Sequence, residues 1–319
     1  MTIHTLKRRF QAGDIAKPEF VARALDIHRH LFDCVALTGS TDVHEIHITP
    51  DGVSFLMGEE RLCLFAPPEE ARVAPIEVLN FDRYEPAETR AMDALTLGAK
   101  QILDVGANIG WYAVRFARRL PQAQVHAFEP MPTAHAYLQR NVAANGLGNR
   151  VTCYSHGLSD QSGSVKFFVA PQGGTNASLL NVSEAPDARS VVGLTLTLDD
   201  WVANQGVAPE FIKCDVEGAE LLVFRGGRST LQTYRPIVFT ELLRKWSKPF
   251  GYHPNDMLGF FADLGYSCWA VGDAGVRPIQ QVADETPETN YAFLHPDAHA
   301  DALTRLLANG ATDGRARRD

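Results

Sequence analysis

The sequence has little that would suggest a secreted, disulfide-bonded or membrane-spanning protein. Its five cysteines are widely spaced and include no Cys-x-x-Cys pair, which argues against a disulfide framework and a structural zinc site. No run of 18 apolar residues occurs, and the basic residues near the start precede no apolar run, so we expect neither a spanning helix nor a secretory signal. We therefore expect reduced thiols and a cytoplasmic location.

An excess of basic residues is also missing. The 319 residues carry 30 Lys and Arg against 38 Asp and Glu, a formal net charge of −8, whereas phosphate-backbone binding normally requires a basic domain. Nucleic acid is therefore not expected as a partner. The length predicts one α/β domain of about 200 to 250 residues together with an additional segment.

The first 80 residues have the pattern of an α+β cap. Apolar side chains recur at helical spacing between Pro18 and Phe32, which predicts an amphipathic helix. Two β-prone runs, at 45–48 and 53–56, flank the turn residues 50–52 and predict a hairpin. Periodicity does not distinguish packing of the helix on its own domain from packing on a second subunit, so a homodimer stays open.

From Lys100 onward, β-prone and helical segments alternate along the chain. The β-prone runs cover residues 101–105, 124–128, 150–155, 210–214, 236–242, 266–271 and 291–294. Helical patterns cover residues 86–97, 111–120, 133–145, 217–224 and 255–264. This alternation predicts an α/β fold with a doubly wound, seven-stranded, mostly parallel sheet whose last two strands are antiparallel at the edge.

We accordingly divide the chain into three parts. They are the N-terminal cap at 1–80, the sheet domain at 81–298, and a C-terminal helix end with a disordered tail at 299–319.

The residues that directly follow the strands are the first candidates for a site, because ligands of such sheets bind beyond the strands' carboxyl ends. The first strand leads into Asp104-Val-Gly-Ala-Asn-Ile-Gly110, in which Gly106 and Gly110 allow close backbone approach. The turn lacks the third glycine of a dinucleotide site, and Asp104 would repel phosphate. The acid suits a ligand that is cationic at that point, such as a sulfonium or an aminoacyl group.

A second acid completes this prediction. Glu129 follows the second strand, where a carboxylate can accept both hydroxyls of a ribose. Together the two acids predict a site for a nucleoside without phosphates.

Several motifs together resemble the FkbM-type methyltransferases, a family with the class I S-adenosylmethionine-dependent fold. In chain order they are Tyr84-Glu-Pro-Ala-Glu-Thr89, the turn at 104–110, Phe128-Glu-Pro130, 141–146 (NVAANG), 157–160 (GLSD), 197–200 (TLDD), 212–220 (IKCDVEGAE) and Phe250-Gly-Tyr252. The resemblance covers about two thirds of the chain, from about Tyr84 to about Leu294.

The resemblance implies S-adenosylmethionine as the cofactor. The cofactor contacts that it implies are Glu85, Asp104, Gly106, Asn108, Gly110, Glu129, Pro130, His156, Gly157, Leu158 and Asp215. The glycine turn would face the methionine part, Glu129 would hold the ribose, and 156–158 would border the adenine. Asn108 would either cap the following helix or bind the amino acid moiety.

The resemblance also implies that the connection from Pro171 to Arg189 is a loop over the acceptor site. Asn176 and Ser178 would be its polar contacts with the substrate, and we add His253 as a further substrate contact or base. The alternative is a surface loop without a substrate role.

Three acids are candidates for the catalytic base, because transfer of a methyl group to a hydroxyl requires removal of its proton. Asp215 and Glu217 follow the fourth strand, and Glu241 lies in the fifth; Glu220 is a further acid of the same segment. Each has a structural alternative: Asp215 as a helix N-cap, Glu217 as a first-turn acid and Glu241 as the partner of Lys213. The clustered acids are also compatible with a bound divalent metal ion, for which we assign no ligands.

The favoured function is therefore an S-adenosylmethionine-dependent O-methyltransferase acting on a polyhydroxylated small molecule, such as a sugar or a secondary metabolite. The alternatives are an N- or carboxyl-methyltransferase on the same fold, an NAD-dependent oxidoreductase and a non-catalytic cofactor-binding module. The missing third glycine and Asp104 argue against the oxidoreductase.

Overall fold

The N-terminal region is a helical hairpin followed by a three-stranded antiparallel sheet. The structure is a computed structural model that describes residues 1–169, 177–180 and 189–310. The elements of this region are α1 (Ile3–Gln11), α2 (Lys17–Ser40), β1 (Val43–Thr49), β2 (Gly52–Met57), β3 (Leu62–Phe65) and α3 (Ala74–Phe81). The predicted helix and hairpin are present, whereas α1 and β3 were not predicted. The rings of Phe10 and Phe20 stack between α1 and α2 with their centroids 4.7 Å apart.

The rest of the chain forms two further sheets. Their strands are β4 (Gln101–Val105), β5 (Gln124–Phe128), β6 (Val151–Tyr154), β7 (Gly157–Ser159), β8 (Gly163–Val169), β9 (Ala177–Ser178), β10 (Arg189–Thr197), β11 (Phe211–Cys214), β12 (Ile237–Glu241), β13 (Ser267–Gly272), β14 (Gly275–Ile279) and β15 (Asn290–Leu294). The larger sheet has the order β14-β13-β15-β12-β11-β4-β5-β6, and the smaller one β7-β10-β8-β9.

The larger sheet confirms the predicted doubly wound α/β fold. Strands β12, β11, β4, β5 and β6 pair in parallel, while β15 and β13 pair antiparallel beyond β12. An eighth strand, β14, extends the seven that were predicted, and it pairs with β13 through a tight turn in which Gly272 lies opposite Gly275. Its sequence contains Pro278, which weakens a strand pattern and is tolerated at a sheet edge.

Helices cover both faces of this sheet. They are α4 (Pro86–Thr96), α5 (Trp111–Arg119), α6 (Pro132–Ala144), α7 (Leu198–Gln205), α8 (Glu220–Arg225), α9 (Arg228–Tyr234), α10 (Arg244–Ser247), α11 (Pro254–Ala262) and α12 (Ala300–Gly310), with a 3₁₀ turn at Lys248–Phe250. One apolar cluster includes Phe116 of α5 and Leu306 of α12, and the other includes Trp201 of α7 and Phe261 of α11. Because Leu306 is buried in the first cluster, α12 packs on the core of the sheet domain.

Side chains of α6 and of its C-cap residue attach the N-terminal sheet to the core. The Asn145 side chain accepts a hydrogen bond from the Cys63 N–H and donates one to the Cys63 carbonyl. Asn141 makes the same pair of bonds with Phe65 and also donates to the carbonyl of Ile109 in the glycine turn. Two amide side chains therefore pair with β3 as a neighbouring strand would.

The described residues bear on two expectations, which concern the state of the cysteines and membrane-spanning helices. All five cysteines are free. Within the described ranges, no helix combines the length and the apolar character that crossing a membrane requires.

Candidate active site

A cavity of about 320 Å³ lies at the carboxyl ends of β4, β5, β11 and β12. Its floor is formed by the glycine turn after β4 and by the segment after β11, and residues 72–74 and 83–85 of the N-terminal half close one side. This is the position at which a doubly wound sheet binds its ligands, and the volume is in the range of small-molecule sites.

The glycine turn requires glycine at two positions for different reasons. Gly106 has a φ of +80°, and a Cβ placed on it would lie 1.8 Å from the carbonyl oxygen of Asp215. Gly110 has a φ of +94°, and its Cβ would lie 2.6 Å from Cδ1 of Leu138 in α6. Gly106 lines the cavity, whereas Gly110 lies behind it and lets α6 pack closely. Close approach, rather than flexibility, accounts for both glycines.

Glu129 is held in place by the backbone at the end of β5. Its buried carboxylate accepts hydrogen bonds from the N–H groups of Asn108, at 2.9 Å, and Met131, at 2.8 Å. Burial raises its pKa to about 7, against the opposing effect of these two donors. Because each carboxylate oxygen can accept a second bond, the group retains the capacity to accept two hydroxyls from a ligand in the cavity.

Asn108 lines the cavity beside Glu129. Its backbone is left-handed, with a φ of +49°, and α5 begins at an N-cap formed by Gly110 without a side-chain bond. Asn108 therefore does not cap α5, which was one of its two predicted roles.

The predicted adenine border is divided between the cavity wall and the layer behind it. Pro130, Gly157 and Leu158 line the cavity together with Phe128. His156 does not line it; the half-buried ring packs 5.6 Å from the ring of Phe128, centroid to centroid, and burial lowers its pKa. His156 thus supports the wall rather than facing the cavity.

Lys213 lies among the acids at the floor of the cavity. Its Nζ lies 3.3 Å from Oδ2 of Asp215 and 3.9 Å from Oδ1 of Asp104, and it sits over the Tyr112 ring, 5.2 Å from the centroid. The side chain is buried, and its neighbouring acids raise its pKa against the effect of burial. The predicted pairing of Lys213 with Glu241 is wrong, because alternate residues of β11 share a face and Lys213 reaches Asp215 instead.

Asp104 lies under the floor and does not line the cavity. It is fully buried, and within the described part of the chain no hydrogen bond is made to either carboxylate oxygen. Burial raises its pKa to about 6, and the charge of Lys213 opposes that shift. Its contribution to the site is therefore negative charge beneath the turn rather than direct contact.

The side of the cavity formed by Glu85, Glu217 and Glu241 carries three acids whose pKa values are raised. Burial, with the neighbouring charges of Asp215 and Glu217, raises the pKa of Glu241 to about 9. Burial also raises the pKa of Glu217 and that of Glu85 to about 7 each. The Tyr112 hydroxyl donates to Glu85, which partly offsets the effect of burial there. Carboxyls of this kind gain and lose protons near neutral pH, as general acids and bases must.

The segment 215–220 positions its acids differently from a capped helix. Helix α8 begins at Glu220 with Ala219 as its N-cap, so Asp215 does not cap it and Glu217 does not lie in its first turn. The Glu220 carboxylate accepts hydrogen bonds from the N–H groups of Val216 and Gly218, each at 3.0 Å, and so stabilises the loop before α8. These bonds support a loop in which Glu217 is left-handed, with a φ of +56°.

The predicted substrate contacts lie largely outside the cavity wall. Ser178 is buried between two lining residues and donates to the carbonyl of Glu217 at 2.8 Å, so it braces the acid loop. His253 does not line the cavity; its Nδ1 accepts the Asn255 N–H at 3.2 Å and caps α11. His253 is therefore a helix cap in this structure, and its contact with a substrate stays a prediction. Asn176 falls outside the described residues.

Several lining residues were not singled out by the sequence. They are Arg72, Glu77, Arg83, Trp111, Tyr112 and Phe167. Two of the charged residues, Arg72 and Glu77, come from the cap, and Arg83 directly follows it, so the fold of this region brings them to the cavity. The adjacent aromatics Trp111 and Tyr112, directly after Gly110, were the one available signal. Among the described residues, no group of three or more His, Cys, Asp or Glu could hold a metal ion.

The sheet order and the cavity at its switch point define a class I methyltransferase fold, with a Rossmann-like core. A family model described as the methyltransferase FkbM domain matches residues 104–268, slightly more than half of the chain. The chain belongs to the FkbM methyltransferase family.

Named relatives are also methyltransferases. Methyltransferase sdnD of Sordaria araneosa is 29% identical over 181 residues, covering 48% of this chain and 68% of sdnD. The 2-O-methyltransferase NoeI of Sinorhizobium fredii is 32% identical over 154 residues, covering 44% of this chain and 62% of NoeI. The hexuronic acid methyltransferase AglP of Haloferax volcanii is 29% identical over 136 residues, covering 42% of this chain and 53% of AglP. The matches thus span between about half and two thirds of these relatives.

Among solved structures, the chain is similar to the FkbM methyltransferase of Methylobacillus flagellatus. That likeness has a TM-score of 0.40 at 16% identity and covers 61% of this chain and 43% of the other.

Proposed function

We propose that the protein is an S-adenosylmethionine-dependent O-methyltransferase that acts on a hydroxyl of a sugar or of another polyhydroxylated small molecule. One observation carries the proposal. A single cavity has a backbone-held carboxylate suited to a ribose at the end of β5, and buried acids with raised pKa values at the ends of β11 and β12. The first wall suits a nucleoside and the second suits proton removal from an acceptor.

The residues present fit this cofactor. Its sulfonium and ammonium groups are cationic, and the floor places Asp215 in the cavity and the unbonded, buried carboxylate of Asp104 beneath it. Its ribose hydroxyls fit the open acceptor positions of Glu129. The turn lacks the third glycine of a phosphate-binding site, in agreement with a ligand that has no phosphates.

When bound, the cofactor supplies an activated methyl group, so the protein mainly has to align an acceptor and remove its proton. We assign proton removal to Glu241, with Glu217 as its neighbour, because burial makes both carboxylates more basic than usual. Asp215 is held by Lys213 at 3.3 Å and is less suited to that task. It is better placed to bind the cofactor's cationic part or to orient the acceptor hydroxyl.

The acceptor class draws support from the relatives. The printed names of NoeI and AglP refer to 2-O-methylation and to a hexuronic acid, respectively. A polar, acid-lined cavity agrees with a polyol, whose hydroxyls can donate to several carboxylates at once.

Calorimetry tests the cofactor. S-adenosylmethionine and S-adenosylhomocysteine should bind and NAD should not, and Glu129→Ala should weaken binding by roughly 100-fold or more, since it removes a group that accepts two hydroxyls. Glu88→Ala is the matched control, because Glu88 is a partly buried acid that binds Asn290 and does not line the cavity. Tight NAD binding with no response to the other two ligands would overturn the proposal.

A panel of sugars, phenolic metabolites, amines and carboxylic acids, with detection of S-adenosylhomocysteine, tests the acceptor. Turnover confined to amines or carboxylic acids would replace O-methylation by the alternative reactions on this fold. The same assay with a chelator tests metal dependence, and we expect no loss of activity.

A further inference from the structure

Helix α2 is long and, among the described residues, is covered mainly by the short helix α1. All of its 24 residues are described, and Ala24 is the single buried one. Helix α1 covers the face formed by Phe20, Ala24 and Ile27, in a small cluster separate from the main core. Because most helix stability in proteins comes from packing of an apolar face, a helix this exposed lacks much of the usual support.

The uncovered face of α2 carries a regular apolar stripe. Val21, Leu25, Phe32 and Val35 are between 48% and 72% exposed. With His28 between them, their spacing is four, three, four and three residues, which is the spacing of core positions in helices that pair side by side. We call these five residues the α2 stripe.

No part of this sequence outside the described residues has the composition to cover the stripe. Segments 170–176, 181–188 and 311–319 contain one large apolar residue among them, Val182. The described residues and these three segments therefore offer no cover for the stripe.

The charges of α2 argue against a membrane surface as the occupant. Three basic residues are balanced by three acidic ones: Lys17, Arg23, Arg29, Glu19, Asp26 and Asp33. Helices that lie on anionic membranes carry an excess of Lys and Arg on their polar face.

The stripe is close to symmetric about its centre. In an antiparallel pair of α2 helices crossing at His28, Val21 would face the partner's Val35, and Leu25 would lie against the partner's Leu31 and Phe32. The two ends of each stripe therefore match in size and polarity, as an isologous interface requires. The main body of each protomer follows the C-terminal end of α2, so antiparallel pairing also keeps the two bodies apart.

The available area is sufficient for a modest interface. Four large side chains that are each about half to three-quarters exposed offer roughly 400 Å² per protomer, and the flanking Leu31 adds to it. A pair would then bury roughly 1,000 Å² of mainly apolar surface, near the lower limit for a specific interface.

We propose that two copies of this chain associate through the α2 stripe as an antiparallel helix pair. The inference is independent of the proposed reaction, since no residue of the cavity takes part.

Light scattering during gel filtration of the full chain tests the proposal. The unmodified protein should have a mass near twice 35.1 kDa, and Leu25→Glu with Phe32→Glu should reduce it to that of one chain. Phe81→Glu is the matched control, because Phe81 is 70% exposed, similar to Phe32, but lies at the end of α3. A monomeric unmodified chain, or a dimer that persists in the double variant, would overturn the proposal.

Cysteine cross-linking tests the orientation and does not depend on how glutamates affect folding. In a Cys34→Ser background, a mixture of Val21→Cys and Val35→Cys chains should form a mixed disulfide on mild oxidation. Self-linking of Val21→Cys chains with no mixed product would instead contradict the antiparallel arrangement.

Discussion

The wall of the cavity proposed to bind the cofactor holds its buried acid differently from the wall proposed to bind the acceptor. On the cofactor wall, Glu129 accepts two backbone N–H groups and is fixed before any ligand arrives. On the proposed acceptor wall, the Glu241 carboxylate accepts no hydrogen bond within the described residues, and burial together with neighbouring acids raises its pKa to about 9. The first arrangement favours one rigid binding geometry, whereas the second leaves a carboxyl able to exchange a proton.

The largest expected effect comes from crowding the cofactor wall. Gly106→Ala would place a methyl group 1.8 Å from the Asp215 carbonyl, so the ends of β4 and β11 must separate. We expect a loss of roughly 3 kcal/mol or more in the free energy of unfolding and no measurable cofactor binding. Denaturant unfolding and calorimetry measure the two effects.

Gly146→Ala is the matched control for Gly106→Ala. Gly146 also has a positive φ, of +67°, but a Cβ there meets nothing within 4 Å. It should lose only about 1 kcal/mol, through backbone strain, and keep cofactor binding. Equal losses in both variants would mean that strain, not close approach, explains Gly106.

The next effect concerns the acceptor wall. Glu241→Gln should lower kcat by roughly 100-fold or more, because it removes the proposed base, and should leave the cofactor Kd within about twofold. Glu88→Gln, at an acid outside the cavity with a raised pKa, is the control. If Glu241→Gln keeps full turnover, the base lies elsewhere, with Glu217 and Asp215 the next to test.

The pH dependence of kcat/KM for the unmodified enzyme tests the same assignment of the base. A base works in its ionised form, so kcat/KM should rise with pH between about 7 and about 9 and fall as protons bind below that range. Glu241→Gln should remove the upper part of this rise. A flat profile between pH 6 and 9, measured across overlapping buffers, would contradict both assignments.

Lys213 links the two walls, and its removal should have a smaller and pH-dependent effect on stability. Its charge opposes the raised pKa of Asp104, so Lys213→Met should raise that pKa further. Burial already makes the folded state hold this proton more tightly than the unfolded chain, and the variant would extend that difference. Its stability would fall as pH rises from the ordinary Asp pKa of 3.8 through a folded pKa above about 6.

We expect the Tm of Lys213→Met to fall more steeply from pH 5 to 8 than that of the unmodified protein. Lys213→Arg, which keeps the charge, should restore most of the original slope. Parallel slopes for all three proteins would show that the ion pair does not control the protonation of Asp104.

The smallest effect is expected at His253. Because its ring caps α11 and lies outside the cavity wall, His253→Ala should cost about 1 kcal/mol of stability and leave the acceptor KM unchanged. A tenfold rise in KM would restore the original prediction that His253 contacts the substrate.

The fold and the positions of the glycine turn and Glu129 at the cavity were predictable because they depend on local patterns. Strand and helix periodicity indicated the sheet, and the turn at 104–110 and Glu129 directly follow two adjacent strands. A residue at the end of a parallel strand is brought to the binding edge by topology alone.

The acceptor wall was less predictable, because it depends on side-chain direction and on distant segments. The sequence suggested a Lys213–Glu241 pair across neighbouring strands, but β11 directs Lys213 toward Asp104 and Asp215. Similarly, nothing local marks Arg72 as a cavity residue, since only the fold of the cap brings it there.

The asparagines in and directly after α6, Asn141 and Asn145, have one further consequence. A strand at the end of a sheet normally exposes N–H and C=O groups that can recruit strands from other molecules and seed aggregates. Asn141 and Asn145 occupy those groups at Cys63 and Phe65 of β3, so that strand is closed to foreign pairing. Replacing both asparagines with leucine would therefore favour fibril-like association of β3, beyond any loss of attachment between the cap and the core.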